Sequence, residues 1–308
     1  MIMKKILINL FLFAPLLYCS SLYAMEYQDL YFIDAHSQID HKVSGINTVL
    51  ERMKANNVKK TLLATRGKRH WQEILDWNSK HPNKIIPLVR SKGKHYQNKT
   101  RKYYKSIELQ VETGEFHGVA EILLYYAQKG NKAPEIAVGL TDERVSFLLD
   151  KALINSWPFI IHIEFAALSG SEKKYRMYDL QKMLKKYPDH TFALIHMGQL
   201  QPDEASKLLN HHSNLHFITS HADPVTVNNS KQPWVNLFDG YRFKKAWKRL
   251  FIESPEKFIF AIDNVWVHHW GNIYNEKMEY WKKALSELPE NVSHMIAHGN
   301  AERLWNLE

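Results

Sequence analysis

The chain has 308 residues, of which 45% are hydrophobic, and its 41 lysines and arginines outnumber its 32 acidic residues, for a formal net charge of +9. Its single cysteine, Cys19, excludes a disulfide framework and cysteine-ligated zinc. The length suits one large domain with a full hydrophobic core.

The first 24 residues predict a secretory signal peptide. Two lysines precede an apolar run from Ile6 to Leu17, and small and polar residues follow up to Ala24. The run is short for a bilayer span of about 20 residues. We therefore expect cleavage after Ala24, a periplasmic or secreted protein with no stable membrane span, and a single domain over residues 25–308. An uncleaved anchor and lipidation of Cys19 are the alternatives.

Eight short apolar runs follow, and their composition predicts strands that are buried on both faces. In chain order they are LYFIDA, KTLLAT, KIIPLV, GVAEILL, PFIIHI, TFALIH, LHFITS and KFIFAI. Between them apolar residues recur at helical spacing, for example at Ile46, Val49, Leu50 and Met53. Strands alternating with helices predict a distorted (β/α)8 TIM barrel, with an open doubly wound sheet as the alternative. No G-x-G-x-x-G follows a strand, so a dinucleotide fold would lack its phosphate loop.

Two basic runs, KKYRMYDLQKMLKK and RFKKAWKR, alternate with apolar residues at helical spacing. This pattern is typical of solvated outer helix faces, and no nucleic-acid recognition motif accompanies it. We expect a small-molecule substrate and no nucleic-acid partner. The basic exterior would favour anionic substrates by steering. The sequence leaves a homo-oligomer open.

Polar side chains end most of the apolar runs. In barrel enzymes the catalytic residues lie at these carboxyl ends of the strands. The first run carries Asp34, His36 and Gln38, and the two-residue spacing predicts one shared strand face. The other candidates at the ends of runs are Arg66, Arg90, Glu121, His162, His196 and Asp263. Imidazoles together with a carboxylate suit zinc or a similar divalent ion.

In these motifs the chain resembles the amidohydrolase-related metal-dependent hydrolases, the group often called amidohydrolase 2. The matching segments are FIDAHSQ, GVAEI, FIIHIE, ALIHMG, FAID and AHGNAERLWNL, in the order of the family, between residues 32 and 307. The resemblance implies a distorted barrel with a mononuclear metal site. It matches His36, His162 and Asp263 to metal ligands, and His196 to the histidine near the reacting group. Gln38 departs from the family, whose members usually have a second histidine there.

The expected activity is hydrolysis of an amide, ester or lactone carbonyl by a metal-activated water, on a small anionic substrate. Asp263 would transfer the proton, and His196 would stabilise the developing oxyanion. Arg66 or Arg90 would bind a substrate carboxylate, with Glu121 as a further ligand or substrate contact and Trp266 in the pocket wall.

The expected cofactor is one divalent ion, zinc by the ligand types, held more weakly because Gln38 would be a poor ligand. Three other functions are compatible with the same residues: a metal-independent lactonase, a non-oxidative decarboxylase of aromatic acids, and a binding protein on a decayed enzyme barrel.

Overall fold

Eight parallel strands form a barrel in the computed structural model, which describes residues 30–128, 134–230 and 232–307. The segment predicted to be a signal peptide lies outside these residues. The strands are β1 (Phe32–Asp40), β2 (Val58–Arg66), β3 (Ile85–Pro87), β4 (Ile122–Tyr126), β5 (Ile136–Ala137), β6 (Phe159–Ile163), β7 (Phe192–Leu194), β8 (Leu215–Ile218), β9 (Phe238–Asp239), β10 (Arg242–Phe243) and β11 (Phe258–Ile259). Strand β5 pairs antiparallel with β4, and β9 pairs antiparallel with β10, so these three stand outside the barrel ring.

Helices connect the strands on the outside. They are α1 (Ile46–Ala55), α2 (Gln72–Lys80), α3 (Lys94–Gln97), α4 (Arg101–Glu112), α5 (Glu143–Ile154), α6 (Gly170–Lys186), α7 (Pro202–His211), α8 (Pro224–Asn229), α9 (Lys245–Glu253), α10 (Asn272–Leu285), α11 (Glu290–His294) and α12 (Asn300–Trp305). Within the described residues, none of these helices combines the length and the apolar character that crossing a bilayer requires.

Backbone hydrogen bonds close the ring at two places where the strand ladders are interrupted. Strands β1 to β3 form one parallel sheet, and β4, β6, β7, β8 and β11 form the other. Beyond β3, the Val89 amide donates to the Gly118 carbonyl at 2.8 Å. On the other side, the Ala35 amide donates to the Phe260 carbonyl at 3.1 Å and the Asp263 amide to the His36 carbonyl at 2.9 Å. The fold is therefore a distorted (β/α)8 barrel, as predicted, and not an open sheet.

Small apolar side chains fill the inside of the barrel. One buried cluster joins inner strand residues such as Ala35, Ala64 and Ala193 to Ala301 and Trp305 of α12. Tyr31, which precedes β1, packs against the same cluster. The C-terminal helix therefore closes the amino end of the strands, and the carboxyl end is left for the polar site.

Close packing under Trp305 requires a glycine at position 118. A Cβ on Gly118 would lie 2.9 Å from the indole nitrogen of Trp305 and 3.1 Å from Leu88. A larger, separate cluster fills the space between strands and outer helices. Strands buried on both faces explain why the apolar runs were nearly continuous in sequence.

Candidate active site

The first strand presents His36 and Gln38 to the site, but not Asp34. Its register against β2 shifts between Asp34 and Ser37, which changes the side-chain alternation. The Asp34 carboxylate instead accepts hydrogen bonds from the Ile262 amide at 2.9 Å and the Ser37 hydroxyl at 2.5 Å. Burial raises the pKa of Asp34 to about 7, although these hydrogen bonds oppose the shift. The expectation that Asp34 shares a face with His36 and Gln38 is therefore wrong, and Asp34 joins β1 to the segment after β11.

A cavity of about 1010 Å³ opens at the carboxyl ends of the strands. It is lined by eight of the nine side chains selected from sequence: Gln38, Arg66, Arg90, Glu121, His162, His196, Asp263 and Trp266. The ninth, His36, is fully buried at the edge of this cavity and faces Glu121 and Asp263. The barrel thus brings Gln38, on the first strand, together with Trp266, which lies 228 positions later in the sequence.

Two buried carboxylates, Glu121 and Asp263, stand between the histidines. The Nε2 of His36 lies 3.9 Å from Oε1 of Glu121 and 3.7 Å from Oδ1 of Asp263. The Nε2 of His196 lies 3.9 Å from the other oxygen of Glu121 and 3.7 Å from the other oxygen of Asp263. These separations are too long for hydrogen bonds.

The same separations suit ligands that share one metal ion. Two ligands of a tetrahedral ion with bonds of about 2.1 Å lie roughly 3.4 Å apart. Both ring nitrogens of His36 are buried and have no hydrogen-bond partner among the described atoms. Three sets of donor atoms, each set within 4.8 Å, surround this space: Glu121, His162 and His196; His196, His221 and Asp263; and His36, Glu121 and Asp263. The residues present therefore fit a divalent metal ion.

Burial keeps the imidazoles neutral, which is the form that binds metals. Burial lowers the pKa of His36 to about 4. It also lowers the pKa of His196 well below its usual range, and the neighbouring His221 and His162 add to the shift. The Nδ1 of His196 lies 2.9 Å from the Ser220 hydroxyl, which orients the ring so that Nε2 faces the carboxylates.

His162 stands between two carboxylates. Its Nδ1 lies 2.5 Å from Oε2 of Glu121, and its Nε2 lies 3.3 Å from Oε1 of Glu164. Glu164 also accepts a hydrogen bond from the Ala127 amide at 2.8 Å, so its position is fixed. A carboxylate behind a histidine is a usual support for a metal ligand, because it fixes the tautomer and raises the basicity of the ring.

Asp263 is held by hydrogen bonds on both of its oxygens. Oδ1 accepts from the Gln38 amide nitrogen at 2.9 Å, and Oδ2 lies 3.2 Å from Nε2 of His221. Burial alone would raise the pKa of Asp263, but the hydrogen bond to His221 and the nearby rings of His36 and His196 hold it well below the usual range. The side chain is therefore an ionised acceptor at neutral pH.

Gln38 presents its amide nitrogen, not its oxygen, to the carboxylates. The oxygen accepts from the Arg66 guanidinium at 3.2 Å, which fixes the direction of the amide. Ligation by the oxygen would require the amide to rotate and give up this contact. Weak ligation by Gln38 stays a prediction.

Three polar side chains of the site stand on strained backbone. His196, His221 and Asp263 have φ angles of +57°, +58° and +50°, in the left-handed region that non-glycine residues rarely adopt. Such positions cost of the order of 1–3 kcal/mol each and cluster at functional sites. Each residue directly follows the apolar run of a barrel strand, so the sharp turn directs the side chain back over the barrel mouth.

The cavity carries an excess of positive charge. Its described lining includes Arg66, Arg90, Lys92, Lys94 and Lys277, and the only carboxylates in that lining are Glu121 and Asp263. The Arg66 guanidinium lies 4.9 Å from the centre of the Trp266 ring, and its one hydrogen bond among the described residues goes to Gln38. The Arg90 guanidinium makes more hydrogen bonds within the protein, because it donates to the carbonyls of Gly67 and Arg69 at 2.9 and 3.2 Å. Arg66 is therefore the better placed of the two to bind a substrate carboxylate.

Lys92 and Lys277 were not selected from the sequence. Lys92 follows β3 and contacts Oε1 of Glu121, and burial lowers the pKa of Lys92 well below its usual range. Lys277, on α10, is only 1% exposed, and its Nζ lies 3.5 Å from the Ile262 carbonyl. His221 and Glu164 were visible at the ends of strands but were not given roles. The only sequence feature that could have pointed to Lys92 is its position two residues after Arg90, close to the end of the third apolar run.

Solved structures share this fold at low sequence identity. 2,6-Dihydroxybenzoate decarboxylase from Rhizobium aligns with a TM-score of 0.55 at 13% identity, over 90% of this chain and 99% of that chain. An uncharacterised TIM-barrel protein from Bordetella bronchiseptica aligns with a TM-score of 0.55 at 16% identity, over 84% and 82%. A 5-carboxyvanillate decarboxylase from Novosphingobium aromaticivorans, complexed with manganese, aligns with a TM-score of 0.55 at 12% identity, over 91% and 97%. At these identities the likeness establishes the fold alone.

No curated protein sequence matches the chain. A family model described as amidohydrolase matches residues 148–307, slightly more than half of the chain, and this region contains His162, His196 and Asp263. The closed barrel, the histidines and carboxylates at its carboxyl end and this match agree with one another, and the chain belongs to the amidohydrolase family.

Proposed function

We propose that this chain is a metal-dependent hydrolase that acts on a carbonyl group of a small anionic substrate. The observation that carries the proposal is the arrangement of His36, His196, Glu121 and Asp263. The Nε2 atoms of His36 and His196 each lie 3.7–3.9 Å from both carboxylates, which is the spacing of groups that share an ion. The ring nitrogens of His36 have no hydrogen-bond partner among the described residues. The structural relative crystallised with manganese makes a divalent ion chemically reasonable for this barrel.

Each residue of the site would have a separate role in hydrolysis. The ligands would be His36, His162, Glu121 and Asp263, and a divalent ion held there would polarise a carbonyl and lower the pKa of a nearby water. Asp263, ionised and hydrogen-bonded to His221, would accept the proton of the attacking water and pass it to the leaving group. His196, whose Nδ1 is held by Ser220, would stabilise the developing negative charge from its Nε2. Arg66 would bind the substrate carboxylate as a planar fork.

A second candidate is non-oxidative decarboxylation of an aromatic acid. The specific observation in its favour is the cavity wall, in which Tyr126, Trp234 and Trp266 accompany the cationic side chains. Flat aromatic surfaces beside Arg66 suit an aromatic ring that carries a carboxylate.

One experiment separates these functions. Purified protein is stripped with a chelator and divided into samples without metal, with Zn²⁺ and with Mn²⁺. Each is given lactones, esters and amides of small carboxylic acids, and hydroxybenzoates, while acid release and CO₂ release are recorded. Hydrolysis that appears only with metal supports the first proposal, and metal-dependent CO₂ release supports the second. Full hydrolytic activity in the stripped sample would contradict metal dependence and favour a metal-independent lactonase.

We also propose that the chain is exported. The support is the sequence pattern that ends at Ala24, with its lysines and its apolar run. The intact mass of protein from the periplasm or medium should correspond to an N-terminus at Met25. A full-length mass in the membrane fraction would contradict the proposal.

A further inference from the structure

A buried lysine contacts the carboxylate that the metal site needs. Lys92 lies in the loop after β3, and its Nζ contacts Oε1 of Glu121, the residue that directly precedes β4. The side chain of Glu121 is 1% exposed and that of Lys92 is 14% exposed, so the pair is largely removed from water. The Ser91 hydroxyl, next to Lys92, donates to the Glu121 carbonyl at 2.7 Å and fixes the two segments together.

The oxygen that Lys92 contacts is one that a metal ion would use. Oε1 of Glu121 is 3.9 Å from Nε2 of His36, and these two atoms belong to one of the candidate donor sets. The other oxygen, Oε2, is 2.5 Å from Nδ1 of His162. A side-chain ammonium and a divalent ion cannot both occupy the space at Oε1.

We propose that Lys92 is a built-in competitor of the metal ion: its ammonium neutralises Glu121 in the metal-free protein and must leave Oε1 before a divalent ion binds there. This inference rests on the proposed metal dependence of the same site. It assigns Lys92 a positioning and regulatory role, because the lysine acts on a ligand and not on the substrate.

The charge of the site gives the direction of the effect. Burial lowers the pKa of Lys92, but direct contact with the Glu121 carboxylate favours the charged form of the lysine. Glu121 and Asp263 carry two negative charges, and the Lys92 ammonium offsets one of them. A divalent ion bound beside all three groups leaves a net charge of +1, whereas without Lys92 the same ion leaves a neutral site. Removing one partner of a buried ion pair also leaves the other charge uncompensated, which a bound cation would relieve. Loss of the Lys92 charge should therefore tighten metal binding, and arginine in its place should not.

The test compares zinc affinity in four full-length proteins by competition with a chromophoric chelator at one fixed pH. They are the wild type, Lys92→Met, Lys92→Arg and Lys94→Met, the last being a control that removes a nearby exposed charge without contacting Glu121. Lys92→Met should bind Zn²⁺ at least about tenfold more tightly than wild type. Lys92→Arg should bind no more tightly than wild type, and Lys94→Met should match wild type.

A folding control keeps the comparison valid. Circular dichroism melts with and without Zn²⁺ should show a larger zinc-induced rise in Tm for Lys92→Met than for wild type. If Lys92→Met does not fold without metal, Lys92→Gln, which keeps a polar group of smaller size, takes its place.

The outcomes separate this inference from the proposed function. If wild type binds zinc and needs it for activity while Lys92→Met gains no affinity, the competitor role is wrong and the metal enzyme stands. An equal gain in Lys94→Met would also overturn the inference, because it would reduce the effect to general electrostatics. If neither the wild type nor any variant binds Zn²⁺, the competitor role is wrong, and the proposed function then depends on the Mn²⁺ sample of the activity assay.

Discussion

Replacing Asp263 by asparagine is the most direct test of the chemistry at this site. The side chain follows β11 and is 3% exposed. Its φ of +50° is a conformation that asparagine tolerates about as well as aspartate, so the substitution adds no backbone strain to that already present. Alanine would add strain and a void, and would confuse the result.

The structural cost of this substitution is small and can be worked out from the contacts. Asparagine keeps an oxygen for the Gln38 amide, but it places an NH₂ group against Nε2 of His221. His221 must then carry its proton on Nδ1, which is buried and lacks a hydrogen-bond partner among the described residues. A hydrogen bond to a charged group contributes about 1.5–3 kcal/mol, and relief of the buried charge offsets part of this loss. We expect a destabilisation of about 1–2 kcal/mol, which leaves the protein folded.

The catalytic cost should be much larger. Loss of a general base typically reduces the rate by about two to four orders of magnitude. The assay measures turnover per bound zinc for Asp263→Asn on any substrate that the wild type hydrolyses, with metal content measured in the same sample. Asp34→Asn is the matched control, because Asp34 is equally buried but lies outside the cavity lining.

The mechanism is refuted if Asp263→Asn keeps both its metal and near-normal turnover. Proton transfer would then have to pass through His221 or His196 without the carboxylate. A variant that loses metal and activity together leaves the proton-transfer role open, so turnover must be compared at saturating zinc.

Two further predictions concern metal affinity and acid stability. Gln38→His should tighten zinc binding, because an imidazole replaces an amide that now faces Arg66; chelator competition checks this, and an unchanged or weaker affinity contradicts it. His216→Leu should make the protein less sensitive to acid. Burial lowers the pKa of His216 to about 3, whereas the unfolded chain takes up this proton near pH 6.5, so its contribution to stability is complete above that pH and falls as the pH decreases towards 3. Urea unfolding at pH 8 and pH 5 should show that the variant loses about 2 kcal/mol less than wild type, and equal losses would contradict the assignment.

The strand pattern was predictable because the barrel buries its strands on both faces. The run PFIIHI contains β6 (Phe159–Ile163), and KFIFAI contains β11 (Phe258–Ile259). Continuous burial leaves a continuous apolar signal in the sequence. The two-residue strands β5, β9 and β10 were not predicted, since elements of that length show no period.

The convergence of the site was predictable for a geometric reason. In a barrel of parallel strands, the carboxyl ends of all strands lie at one face. Residues at the ends of different strands are therefore neighbours in space, and a reading of the strand ends from sequence identifies them. This is why Glu121, His196 and Asp263, each next to an apolar run, come within 3.9 Å of a common partner or of each other. The bulge in β1 was not predictable in this way, and it removed Asp34 from the face that the two-residue spacing suggested.

The contact of Lys92 with Glu121 could not be predicted in the same way, because Lys92 belongs to a loop. The direction of a strand end follows from the barrel, but the path of the loop from β3 to α3 depends on tertiary contacts such as the Ser91 hydrogen bond to Glu121. The sequence did show that Glu121, inside an apolar run, needed a partner, since an unpaired buried carboxylate is costly. A metal ion was one answer to that requirement, and the structure supplies a second in Lys92. A site whose ligand carries its own counter-ion can remain stable without metal. We therefore expect the glutamine at position 38 and the proposed competition by Lys92 to act in the same direction, towards weaker metal binding.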